Sequence, residues 1–159
     1  MFLIKAEAAT GRMHSAGVAE LGECRFLEKN GIRFTIILGP LYAFSFEIGS
    51  QILVGESMVP ISSDDMNNVL TGAANLDDYR RKMGNYIQLL VIFDPAARTA
   101  TIINSIASSR PYYYCLRGGT SWFSTSLKAL KISGVPLEID EARLPEFYTY
   151  RLIVPPRTL

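Results

Sequence analysis

The chain has 159 residues, 48% of them hydrophobic and 19% charged, a globular composition rather than a disordered one. Sixteen basic and fifteen acidic residues leave a formal charge of +1, which gives no electrostatic case for nucleic acid. No basic run reads as a membrane patch, and no apolar run approaches the roughly 18 residues a membrane helix needs.

The N-terminal stretch MFLIKAEAATGRMHS places Lys5 and Glu7 where a secretory leader would carry its apolar run. A cytoplasmic location is expected. Cys24 and Cys115 are read as reduced core thiols, because a lone pair in a chain this size gives no disulfide framework. His14 is the one histidine, and no His/Cys cluster has metal-ligand spacing, so no metal site is expected.

The first part of the chain reads as strands. Gly17 to Leu27 is followed by Lys29-Asn30-Gly31, a hairpin turn in which Asn-Gly accepts positive φ. Gly31 to Leu38 forms the return strand, and Gly39-Pro40 ends it. Leu41 to Ile48 alternates, with Tyr42, Phe44 and Phe46 expected on one face. Gln51 to Glu56 is a further short strand. Ser62 and Ser63 cap a short helix over Asp64 to Leu70. A second helical turn is expected over Leu76 to Met83, acidic early and basic late as the helix dipole prefers.

Strands then resume. Asn85 to Phe93 is almost entirely apolar and is predicted to be a buried central strand. Asp94 to Arg98 turns the chain into a partner strand over Thr99 to Ser105. Pro111 to Leu116 and Ser121 to Thr125 form a hairpin about Gly118-Gly119, with Trp122 expected in the core and Phe123 in the shell around it. Helices are predicted from Ser126 to Ile132 and from Asp140 to Tyr150, before an extended tail. Strand pairs interrupted by helical runs predict an α+β fold, two mainly antiparallel sheets packed together with helices outside.

From Gly84 onward the order of pieces resembles the N-terminal domain of asparagine synthetases, which are class II glutamine amidotransferases. The pieces are Gly84-Asn85-Tyr86 leading into Leu90 to Asp94, Arg110 to Tyr114, Gly118-Gly119, Phe123 to Leu130, Glu138-Ile139-Asp140 and Val154 to Leu159. The resemblance implies a four-layer αββα sandwich of the N-terminal nucleophile hydrolase type. Residues 1–159 would form a single glutaminase-like domain, and residues 151–159 would resemble the link to a synthetase domain. That synthetase domain, in cis or in trans, would be the partner and would carry ATP and Mg²⁺. No cofactor is expected in this chain.

A glutaminase of this class needs a Cys at its mature N-terminus, where the free α-amine serves as base for the thiol. Phe2 stands at that position. The family's Asn-Gly-Glu clamp is missing: Asn30-Gly31 continues into Ile32, and Val54-Gly55-Glu56 lacks the Asn. No catalytic residue is therefore assigned. The expected function is a non-catalytic amidotransferase-like domain of an ATP-dependent amide-forming enzyme, with a structural or docking role. The alternative is an independent module binding a peptide or small ligand. Candidate contact residues are Arg110, Tyr112, Tyr114, Trp122, Phe147 and Tyr148, the last two on an apolar stripe with Leu144 and Leu152.

Overall fold

The computed structural model describes residues 1–9, 21–40, 42–72, 78, 81–82, 86–104 and 111–138. Among these residues nine strands fall into two antiparallel sheets. Strands β1 (Phe2–Ala8), β2 (Glu23–Lys29), β3 (Ile32–Leu38), β8 (Tyr113–Arg117) and β9 (Thr120–Ser124) form one sheet, in the order β2-β3-β1-β9-β8. Strands β4 (Ala43–Ile48), β5 (Gln51–Ser57), β6 (Ile87–Asp94) and β7 (Thr99–Asn104) form the other, in sequence order. Among the described residues the helices are α1 (Ser63–Gly72) and α2 (Leu127–Ile132), with helical backbone also at Asp78, Arg81 and Lys82. The described residues are thus mostly β. The helix expected over Asp140 to Tyr150 and the extended tail lie outside the described residues.

The two-residue side-chain period of each strand sorts the apolar residues onto two faces. Phe2 and Ile4 of β1, Phe34, Ile36 and Leu38 of β3, and Phe123 of β9 point to the opposite sheet. They meet Ile52 and Val54 of β5 and Leu89, Val91 and Phe93 of β6. Fully burying each such side chain contributes about 1.5–3 kcal/mol, so this inter-sheet layer is the main apolar core.

The intervening residues face outward and are covered by helices. Leu3 and Ile37 pack with Ala129 and Leu130 of α2, and Leu53, Leu90 and Ile92 pack with Met66 of α1. Strand β6 is interior to its sheet and apolar on both faces, which accounts for its continuous Leu-Leu-Val-Ile-Phe run.

Turn chemistry sets the registers. Asn30 (φ 51°) and Gly31 (φ 72°) take the left-handed region between β2 and β3, and Gly118 (φ 56°) and Gly119 (φ 75°) do so between β8 and β9. Gly55 is required sterically. A Cβ there would lie 2.5 Å from the Leu89 carbonyl oxygen and 2.6 Å from the Phe44 ring.

Two local expectations are corrected. Phe44 and Phe46 do share a face and stack at 5.4 Å, but Tyr42 does not join them. It has φ 56° in the turn before β4 and is exposed. Trp122 and Phe123 exchange places relative to expectation: Phe123 enters the inter-sheet core, while Trp122 is half-buried on the outer face near α2. The cause is register, because Phe123 pairs with inward-facing Ile4.

Candidate functional site

Two places in this sandwich concentrate polar groups against apolar packing. They lie toward opposite ends of β1, one at Phe2 and the other at Ala6 to Ala8, about 13–20 Å along the strand at ~3.3 Å per residue.

The first surrounds the start of β1. Phe2 is fully buried. Its backbone N–H donates to Thr125 Oγ1 at 3.1 Å, and its carbonyl accepts from the Ser124 hydroxyl at 2.7 Å and from the Thr125 N–H at 3.2 Å. The Met1 ammonium lies 2.8 Å from Glu56 Oε1, the same oxygen that accepts from the Thr125 hydroxyl. Glu56 is 2% exposed. A buried carboxylate is costly unless paired and hydrogen-bonded, and here it is both. The result is a polar clamp joining β1, β5 and the chain just after β9. Phe2 supplies neither thiol nor hydroxyl to it. Its ring belongs to the inter-sheet core.

The second place is a cavity of 580 Å³ at the far end of β1. Phe34, Phe93 and Phe123 form its buried inner wall. These rings meet edge to face, with centroids 5.5 Å apart for Phe34–Phe93 and 5.4 Å for Phe93–Phe123. Tyr114 stacks on Phe123 at 6.5 Å and lies on the exposed side of the cavity. Three charged residues also line it: Glu7, Asp94 and Arg98. The Glu7 carboxylate sits 2.7 Å from Lys5 Nζ. Asp94 Oδ1 accepts from the N–H groups of Ala96 and Ala97, both at 3.0 Å, which closes the β6–β7 turn.

The candidate contact residues chosen from sequence are only partly assembled. Tyr114 reaches the cavity. Tyr112 is exposed and is not among the lining residues, and Trp122 faces the other side of its sheet. Arg110, Phe147 and Tyr148 lie outside the described residues, as does His14. The sequence points to none of the three phenylalanines, Glu56, Thr125 or Arg98 as contacts. Glu56 carried the one usable signal, an acidic residue closing the apolar run Ile52-Leu53-Val54.

Cys24 and Cys115 are free and half-buried rather than fully in the core. Burial pushes the Cys24 thiol above its ordinary value. Among the described residues no group of three or more His, Cys, Asp or Glu is placed to hold a metal ion. No helix among them is long and apolar enough to cross a membrane.

No family model, no curated protein and no solved structure matches this chain.

Proposed function

We propose that the chain is a non-catalytic domain of the class II glutamine amidotransferase type, with a four-layer αββα sandwich of the N-terminal nucleophile hydrolase kind. It would serve an ATP-dependent, asparagine-synthetase-related amide-forming enzyme in a structural or docking role. The partner would be a synthetase domain of the ATP-pyrophosphatase type, which would bring ATP and Mg²⁺.

One observation carries the reading. Phe2, which would stand where this class carries its nucleophile, is a fully buried core side chain whose backbone N–H and carbonyl are both hydrogen-bonded. Strand β1 has the middle place in its sheet, which supports a scaffold of this kind with packing where the chemistry would be. Fold and site are separable in this way because sheet burial specifies one and a few side chains specify the other.

The test has two arms. Purified chain incubated with glutamine is expected to release no glutamate above buffer, and release at the rate of a working glutaminase would overturn the proposal. Tagged chain is expected to retain a synthetase of the ATP-pyrophosphatase type, identified by mass spectrometry.

A second reading, an independent module for a small ligand, is favoured by the aromatic-walled cavity. Its size falls within the range of about 300–1,000 Å³ typical of ligand pockets.

A further inference from the structure

We infer that the cavity at the far end of β1 binds a small amphipathic carboxylate, with an apolar ring-bearing body against Phe34, Phe93 and Phe123 and its acid group at Arg98. The inference rests on the ligand-binding reading of the fold and names the class of ligand.

The apolar half of the claim follows from the wall. Phe34, Phe93 and Phe123 line the cavity, and Phe93 meets each of the other two edge to face, an arrangement a further ring can join at the usual centroid spacings. Tyr114 extends this surface toward solvent, stacked on Phe123 and largely exposed. A ring entering between Tyr114 and the β6–β7 turn would bury apolar surface on both sides.

The charged half follows from which charges around the cavity are already engaged. Glu7 is paired with Lys5, and Asp94 is committed to the turn amides. Arg98 lines the same cavity from the exposed side, and among the described residues no carboxylate pairs with it. Its backbone belongs to the β6–β7 turn. Its φ of 54° lies in the left-handed region, where a non-glycine residue is uncommon. A guanidinium matches a carboxylate with two parallel hydrogen bonds, so an acid is the group this position recognises.

The location separates this site from the Phe2 end of the sandwich. A ligand bound here would contact β6, β7 and the β8–β9 hairpin, and would leave the Glu56–Thr125 clamp untouched.

The experiment is a titration of the folded, isotopically labelled chain with three probes of one shape: naphthoate, naphthylmethanol and naphthylmethylammonium. Amide resonances report where each binds. Naphthoate is expected to bind saturably and to shift Ala6, Phe93, Gly119 and Phe123 more than Phe2 and Thr125. Arg98→Asn keeps a residue that tolerates the left-handed turn. It is expected to weaken naphthoate by about tenfold, the scale of one charged hydrogen-bonded contact, and to leave naphthylmethanol unchanged.

Equal naphthoate affinity in Arg98→Asn, or tighter binding of the ammonium probe than of naphthoate, would overturn the carboxylate assignment while leaving a pocket for another class. Failure of all three probes, or shifts away from the cavity, would overturn the ligand-binding reading along with it.

Discussion

At the scale of single residues, the side chains at 122 and 123 show what alternation does and does not decide. Neighbours on a strand must face opposite sides of the sheet, so one ring had to enter the inter-sheet core. Which one depends on the partner strand, because Phe123 lies opposite Ile4 and Trp122 opposite Lys5. Long-range pairing of this kind leaves no mark within the segment itself. At this position the Trp122 indole N–H is buried and, among the described residues, has no hydrogen-bond partner. An unsatisfied buried donor costs about 1–3 kcal/mol. Trp122→Phe removes that donor and keeps an aromatic body against Leu3, Ile37 and Leu130. It is expected to change stability by less than about 1 kcal/mol, whereas Trp122→Ala is expected to cost about 3 kcal/mol through lost packing. Urea unfolding of the two variants checks this, and a loss in Trp122→Phe as large as in Trp122→Ala would show that the indole N–H is satisfied after all.

At the scale of elements, the parts legible in the sequence are those specified by local chemistry. The Asn30-Gly31 and Gly118-Gly119 hairpins were readable because their residues supply the left-handed backbone that the turns demand. Strand β6 was readable because both of its faces are covered. Tyr42 was misplaced because a left-handed residue breaks the alternation that Phe44 and Phe46 continue. Helix α1 was readable from its cap. The Ser62 hydroxyl accepts from the Asp65 N–H at 3.1 Å, and Asp65 Oδ2 accepts from the Ser62 hydroxyl at 2.6 Å and the Ser62 N–H at 3.0 Å. This is a reciprocal capping box. The Ser62 side-chain hydrogen bond, followed by the backbone one, holds the Asp65 carboxyl below its ordinary value of 3.8. A carboxylate whose folded-state pKa is depressed stabilises the fold above its ordinary pKa and loses that contribution as pH falls through the folded value. Asp65→Asn is therefore expected to melt below the wild type at neutral pH, with the difference closing once the pH drops beneath 3.8. Thermal melts across that range decide it, since a gap independent of pH would assign the effect to something other than the ionised carboxylate.

At the scale of the whole molecule, both candidate sites are products of tertiary assembly. The cavity draws on β1, β3, β6, β7, β8 and β9, from both sheets, and no short stretch of sequence announces it. The clamp brings Met1, Glu56 and Thr125 together across the two sheets. What the sequence did expose was Phe2, and the fold supplies the reason it matters. On the proposed amidotransferase-like reading, a catalytic group at the head of β1 would have to face a space that substrate can enter, whereas Phe2 packs into the inter-sheet core with Ile4, Phe34 and Val91 among its cluster. Stability and chemistry therefore compete for one position. Phe2→Cys puts a thiol there at the cost of most of a buried ring. Truncations of buried phenylalanine cost about 3–5 kcal/mol when taken to alanine, and the retained sulfur reduces this to about 2–4 kcal/mol. The variant is expected to unfold at a lower urea concentration with an unchanged slope, the sign of lost stability without a change in the surface exposed. It is also expected to release no glutamate from glutamine, because the Asn-Gly-Glu stretch that would hold the substrate is not restored by a thiol. Glutamate release by Phe2→Cys would place a working substrate clamp elsewhere in the chain and would require the non-catalytic reading to be replaced by that of a glutaminase silenced at one residue.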